Sequence, residues 1–404
     1  MTISKMFRDR AAKWAKNTCV KFKKDGVYAD MSWGDFYGQV LRSASALIKA
    51  GLKTGDRAAI LSHTRWEWSN SDAAILSAGG IVVPIYPSLT GPEVLSLLNR
   101  SRSRFVFCSD AALVKELAAI IDDATTVEKV IVFEKEALAG VANPKFTSLE
   151  EFSREKADVA AINERIDASS PDDVCTIIFT SGTTGEPKGV MLSHGNIMSN
   201  AGAALDIFDI GLGDTHLSHL PLAHVLERMG CYVMFYSGAV VAYAENMNKV
   251  AENISEVAPT VCVSVPRIFE KIYAGIQAKA MEEKFPKKQI AFWAIDVATK
   301  VGDRIDARKP VGCLLQAKFN LADKLVYSKI RQKFGGRIRI FVSGGAPLAP
   351  ELAKFFCAIG IPIYEGYGLT ETSPIITANQ PGRQKAGAVG FVVPGVQIKI
   401  AVDG

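Results

Sequence analysis

No stretch of the sequence is both long and clean enough to cross a membrane as a helix. The longest uncharged run, Ala73 to Pro92, is broken by Gly79, Gly80, Pro84 and Pro87, which suits a buried helix followed by a strand. Met229 to Ala244 is also uncharged, but it is short for a span and carries Gly230 and Gly238. No secretory signal opens the chain. "MTISKMFRDRAAKWAKN" is basic, has Ile3, Phe7, Ala11 and Trp14 at helical spacing, and reads as a helix packed on the body in preference to a targeting helix. The seven cysteines (Cys19, Cys108, Cys175, Cys231, Cys262, Cys313 and Cys357) are scattered, odd in number and mostly embedded in apolar runs. That excludes a disulfide framework and suits buried thiols in a reducing, cytoplasmic setting. Histidine is scarcer still, at five, and His216, His219 and His224 have no carboxylate or thiol at ligand spacing, so no metal centre is expected among them. Internal repeats and low-complexity tracts are absent.

What is there is an ordinary globular composition, 48% hydrophobic and 22% charged over 404 residues, enough for two or three lobes with large cores. The net charge of +5 is unevenly spread: Lys284 to Arg339 holds 14 Lys/Arg against 4 Asp/Glu, leaving the remainder at −5. The same segment carries Leu314, Leu315, Phe319, Leu325, Val326 and Ile330 at helical spacing. A solvated helical face is the plain reading; a surface resting on anionic lipid, at the inner face of a membrane, is the sharper one. Nucleic acid is disfavoured, because no recognised binding motif accompanies the charge.

Strand-like and helix-like segments alternate. "RAAILS", "IVVPIY" and "RFVFCS" read as strands, with "WEWSNSDAAILSAGG" and "TGPEVLSLLNRS" as the helices between them, a parallel α/β rhythm. The polar stretch "REKADVAAINERIDASSPDD" is the candidate boundary between lobes. After it, "VCTIIF", "VCVSV" and "RIRIFVS" suit central parallel strands, separated by helices around 195–208, 224–236, 246–257, 267–282 and 350–359. The spacing predicts an α/β fold of two lobes with mostly parallel sheets, 1–165 and 166–375, and a smaller β-rich portion at 376–404. In "GVQIKIAVDG" the alternation predicts a half-buried strand over Val396–Val402, and Asp403-Gly404 a hairpin turn whose returning strand lies beyond it. The chain therefore reads as the front part of a longer protein.

"TSGTTGEPKG", Thr180 to Gly189, follows "VCTIIF". Glycines Gly182, Gly185 and Gly189 allow close approach of backbone N–H groups to an anion, Ser181, Thr183 and Thr184 add hydroxyls, and Lys188 adds a charge. A polyphosphate cradle is one reading and a solvated hairpin loop the other. The Walker pattern does not fit, since Pro187 precedes Lys188 and "GVMLSH" continues as a strand.

The full string "TSGTTGEPKGVMLSH" resembles the phosphate-binding motif of the adenylate-forming (AMP-binding) superfamily, which includes acyl-CoA synthetases, luciferases and nonribosomal adenylation domains. "LPLAHVLERM" from Leu220, "VPRIFEKIY" from Val265, "SGGAPL" from Ser343, "YEGYGLTETSP" from Tyr364 and "GAVGFVVPGVQIKI" from Gly387 follow in the superfamily's order. Within it the sequence looks most like bacterial long-chain fatty acid–CoA ligases, over their large N-terminal domain. The small C-terminal domain of that superfamily, with its mobile catalytic lysine, is not within these residues.

The resemblance implies ATP, Mg²⁺ and coenzyme A as ligands and a fatty acid as substrate. Thr180, Ser181, Gly182, Thr183, Thr184, Gly185 and Lys188 would hold phosphates. Tyr367 would stack adenine, Glu365 and Gly366 would meet the edge of the base, and Gly345 and Ala346 would let the adenylate lie on the backbone. Thr370 would bond the α-phosphate, and Glu371, with Thr180, would hold magnesium. His224 would donate to the acyl carboxylate, and Val225, Met229, Gly230, Gly344, Ala346 and Gly368 would line the acyl path. Lys188, His224, Thr370 and Glu371 form the implied catalytic set, while Glu227 and Arg228 read as an ion pair. Each residue also has a plainer reading: Tyr367 as a core aromatic, Glu371 as an acid at a helix start, His224 as a satisfied helix-start histidine. A peripheral membrane contact and a homodimer complete the expected partners. Two rivals stay open: a ligase for an aryl, short-chain or amino acid, and a non-catalytic nucleotide-binding protein of the same fold.

Overall fold

The computed structural model describes residues 1–180 and 186–402. Ser181, Gly182, Thr183, Thr184 and Gly185 lie outside the described residues, as does the expected turn at Asp403-Gly404.

Two sheets organise the described chain. One runs, in spatial order, Phe146–Ser148, Lys129–Val132, Ser103–Cys108, Arg57–Leu61, Ile81–Ile85, Val174–Thr180 and Lys188–Ser193, parallel except for its last pair. The other runs Phe391–Val392, Ile375–Ala378, Ile363–Gly368, Ile340–Ser343, Val261–Ser264, Thr215–Ser218, Val240–Tyr243, Thr18–Lys24 and Val27–Ser32, with a parallel centre and antiparallel flanks. The central strands are buried, as their apolar, β-branched runs require of parallel strands covered by helices. The sheets interleave across residues 165/166: the strands before residue 33 join the sheet built mainly from the second half, while Val174–Thr180 and Lys188–Ser193 join that of the first. The polar stretch expected as a boundary contains the helix Val159–Ala168, with Ile162 and Ile166 buried in the main core.

The N-terminal helix Ile3–Lys13 packs into the body as its spacing predicts. Ile3, Phe7 and Ala11 are buried, and Phe7 meets Phe235 at a ring separation of 5.1 Å. Its start is pinned by His194, whose Nδ1 accepts from the Ile3 amide at 3.2 Å. Burial pushes the His194 imidazole down from 6.5 to about 4. The unfolded imidazole takes its proton near pH 6.5, so between those values the unfolded chain holds more protons than the folded one. The contribution of His194 is therefore complete above about 6.5 and is lost as pH falls toward 4, by about 2 kcal/mol at pH 5. Thermal melts at pH 7.5 and pH 5 should show a larger drop in wild type than in His194→Gln; equal drops would remove His194 from the acid response.

One expectation fails. Val396–Val402 forms no strand, and Ile398, Ile400 and Val402 are exposed. Alternation makes a strand only where a neighbour offers hydrogen bonds, and no strand among the described residues runs beside this segment.

Candidate active site

Strand ends and helix starts from both sheets bring the motifs together. Val174–Thr180 pairs antiparallel with Lys188–Ser193, with Thr180 opposite Lys188. Lys188 is exposed, and nearby Glu186 is already bound to Arg100 at 2.9 Å. The 3₁₀ turn Thr370–Thr372 packs against Lys188–Ser193, which brings Thr370 and Glu371 to the same edge. Thr372 fixes that turn: its Oγ1 accepts from the Leu369 amide at 2.9 Å and donates to the Pro374 carbonyl at 2.7 Å. Glu371 is exposed and has no hydrogen bond or ion pair among the described residues.

Tyr367, at the end of Ile363–Gly368, is 47% exposed, so it offers a face to a ligand instead of filling the core. Gly368, beside it, is held to glycine by packing: a Cβ there would lie 1.9 Å from the Pro374 carbonyl oxygen. After Ile340–Ser343 the chain turns through Gly344 and Gly345. Gly345 has φ +81°, a left-handed conformation that favours glycine. A Cβ on Gly344 would stand 3.5 Å from Leu226 and 3.7 Å from the Gly366 carbonyl. The loop thus touches both the strand of Tyr367 and the helix headed by His224. Ala346 is exposed on it.

His224 caps the helix Val225–Ser237, its Nδ1 accepting from the Leu226 amide at 3.1 Å. That puts the ring proton on Nε2, a donor with no partner among the described residues. Partial burial lowers the imidazole's pKa, against the opposing charge of Glu227, so the ring is neutral near pH 7. Val225 and Met229 are buried on the same helix. A Cβ on Gly230 would sit 3.0 Å from Val263, so here the glycine serves close helix–strand packing.

Glu365 turns inward. Its Oε1 accepts from the Gly387 amide at 3.0 Å, and burial raises its carboxyl pKa. It lines a cavity of about 320 Å³ shared with Asp306, Lys354, Cys357, Asn379 and Lys385.

Two sequence expectations need correcting. Glu227 and Arg228 do not pair with each other. Glu227 Oε1 lies 2.9 Å from His216 Nε2, and Arg228 bonds Asp72, because successive helix residues face different neighbours. The histidines are also less isolated than their spacing suggested: Glu227 and Cys231, one turn apart on the helix, lie within 4.8 Å of His216, all three buried. Separation in sequence hid this. The Asp72–Arg228 pair is not read from sequence either; the signal for it is an acid, Asp72, directly before the uncharged run that starts at Ala73.

Two largely parallel sheets covered by helices, with the strand Lys188–Ser193 packed against the turn Thr370–Thr372, define a mixed α/β fold. The chain belongs to the AMP-binding enzyme family, which matches residues 7–404. The long-chain-fatty-acid–CoA ligase FadD15 of Mycobacterium bovis is 36% identical over 385 residues, covering 94% of this chain and 62% of the relative. The chain therefore spans less than two thirds of that relative. Among solved structures, the anthranilate CoA ligase AuaEII in complex with anthranoyl-AMP superposes with a TM-score of 0.72 at 19% identity, covering 100% of this chain and 66% of that one. A long-chain-fatty-acid-CoA ligase (FadD1) from Archaeoglobus fulgidus superposes with 0.70 at 18%, covering 97% and 69%. These two superpositions speak for the fold.

Proposed function

We propose that the protein activates a long-chain fatty acid as its coenzyme A thioester. A carboxylate oxygen of the acid attacks the α-phosphorus of ATP, the bond to the bridging oxygen breaks, and pyrophosphate leaves. The coenzyme A sulfur then attacks the acyl carbon, AMP departs with the electrons of the acyl–oxygen bond, and the thiol proton passes to solvent. The first step is an in-line displacement, in which positioning and charge neutralisation carry most of the catalysis.

One observation carries this reading. The Gly344 loop lies against both the Tyr367 strand and the His224 helix, so a base stacked on Tyr367 and an acyl carboxylate beside His224 would meet at one α-phosphate. Neutral His224 then donates Nε2–H to the carboxylate oxygen that does not attack. Thr370 and Lys188, whose turn and strand pack together, bond the phosphates. Magnesium, when bound, would neutralise phosphate charge; Glu371, exposed and without a partner among the described residues, and the Thr180 hydroxyl suit such a hard cation. Identity to FadD15 over 94% of the chain supports a long-chain acid over an aryl, short-chain or amino acid. The test is pyrophosphate release by the complete protein with palmitate, anthranilate or an amino acid, followed by thioester formation. Palmitate should be preferred. A faster aryl or amino acid would overturn the substrate class, and ATP binding without pyrophosphate from any acid would favour the non-catalytic rival.

The reading extends to a cytoplasmic protein, as a homodimer or alone, that touches anionic membrane. No helix among the described residues is long and apolar enough to cross one. Support for the peripheral contact comes from the helices Pro266–Glu282, Lys287–Asp306 and Cys313–Ala322. Leu315 and Phe319 pack inward, whereas Met281, Phe285 (81%) and Leu314 (74%) are exposed among lysines. Vesicles containing phosphatidylglycerol should retain the protein at low salt. Retention should fall between about 0.1 M and 1 M salt, as the screening length shrinks from about 10 to 3 Å, and also in Lys287→Glu/Lys288→Glu. Binding indifferent to both would leave a solvated face.

A further inference from the structure

Arg228 is buried in the middle of the molecule, and its guanidinium joins three elements. Nε and Nη2 donate to the two carboxylate oxygens of Asp72 at 3.1 and 2.5 Å, a fork-on-carboxylate pairing. Nη1 donates to Thr176 Oγ1 at 2.7 Å, and that hydroxyl donates onward to the Val82 carbonyl at 2.8 Å. Tyr232, one turn along the helix, donates to Asp72 at 2.6 Å. The guanidinium also lies 5.4 Å from the Trp68 ring centroid and 5.5 Å from that of Tyr232. Arg228, Asp72, Thr176 and Tyr232 are all buried. Burial opposes the charge of Arg228, and the Asp72 carboxylate more than offsets this.

The elements joined are those that carry the two halves of the candidate site. Val225–Ser237 packs on Thr215–Ser218, Val240–Tyr243 and Val261–Ser264 of the nine-stranded sheet. Thr176 belongs to Val174–Thr180 of the seven-stranded sheet, four residues before Thr180, and that strand holds Lys188 in register. At the other end of the connection the Arg228 amide donates to the His224 carbonyl at 3.3 Å. His224 and the Thr180–Lys188 pair are thus linked through one side chain that crosses between the sheets.

We infer that Arg228 is a positioning residue, fixing the helix start that carries His224 relative to the strand pair that carries Thr180 and Lys188. The inference rests on the proposed adenylation. Its content is that acyl carboxylate and nucleotide phosphates are brought into attack geometry by this crossing, not only by the residues that touch them. Only a forked cation can hold a carboxylate with two nitrogens while giving a third to a hydroxyl on another element. Lysine, a point charge with a rotating ammonium, keeps the ion pair but not the fork.

A buried ion pair confounds simple deletion, because removing one partner strands the other charge, whereas removing both together is often neutral for stability. The test therefore compares the double variant Asp72→Asn/Arg228→Met with Arg228→Lys in the complete protein. Melting temperature, kcat and KM are read for pyrophosphate release. The double variant should melt close to wild type yet lose about 100-fold in kcat, the order expected from an ångström of misplacement. KM for ATP and for palmitate should move no more than about threefold, because groups that touch each substrate stay in place. Arg228→Lys should recover part of the loss, to within about tenfold of wild type. A double variant that folds and turns over like wild type would make the cluster purely structural, as would losses in both variants that track their melting temperatures. If the double variant does not fold, Arg228→Lys decides alone: normal kcat in it overturns the inference. Wild type that releases no pyrophosphate sinks the adenylation reading itself and this inference with it, an outcome separate from active wild type with an indifferent cluster.

Discussion

Glu371→Gln should reduce pyrophosphate release by about 100- to 1,000-fold, the range seen when one group that stabilises transition-state charge is removed. The structure makes this a clean measurement. Glu371 is exposed in a three-residue turn whose shape is set by Thr372 and not by Glu371. It bonds nothing among the described residues, so the amide should leave the melting temperature unchanged. Glutamine keeps the size and removes the charge, which a hard divalent cation favours. The activity loss should come with a raised magnesium requirement in titrations, and palmitate binding should stay as it was. The same turn supplies a contrast. Thr372→Val would lose the bonds to Leu369 and Pro374 and should lower stability and activity together. Wild-type pyrophosphate release by Glu371→Gln, at limiting magnesium, would show that this carboxylate is a surface acid at a turn.

Much of the fold could be read from sequence because its carriers are local. Apolar β-branched runs bounded by glycine and proline gave the central strands, and helical spacing placed the N-terminal helix with Ile3, Phe7 and Ala11 facing in. Most of the failures come from separation along the chain. Strand order is not a local property, so the crossing of Thr18–Lys24 into the far sheet was not legible. The strand expected over Val396–Val402 fails for a different reason: it has the right alternation but no partner strand among the described residues. At the site, motifs named the residues but not their company. Arg228 and Asp72 are 156 positions apart, and only folding puts one against the other. Glu227 reads as the natural partner of adjacent Arg228 until the helix turns it toward His216. Glu365, whose place at a base edge is an expectation, also has company the motif does not show: its Oε1 accepts from the Gly387 amide.

Lys188→Ala should separate the two half-reactions. Lys188 opens the strand Lys188–Ser193 and stands opposite Thr180 in register, exposed to solvent. The nearest acid in sequence, Glu186, pairs with Arg100 and not with Lys188. In the proposed reaction Lys188 meets the set of phosphates that leaves as pyrophosphate. The charge on them grows as the bond to the α-phosphorus breaks, so a fixed ammonium stabilises the transition state more than bound ATP. Its removal should therefore lower kcat for adenylate formation by about 100-fold while KM for ATP rises only a few-fold. Thiolysis of supplied palmitoyl-adenylate has no pyrophosphate to stabilise and should stay within about threefold of wild type. Arginine at the position keeps a cation but swaps a compact ammonium for a planar fork, so Lys188→Arg should fall between alanine and wild type. Because the side chain is exposed, neither variant should shift the melting temperature by more than about a degree or two. Pyrophosphate release and thiolysis measured on the same preparations decide the matter. Equal slowing of both would mean that Lys188 holds the strand pair in shape, and that phosphate charge is met elsewhere in the site.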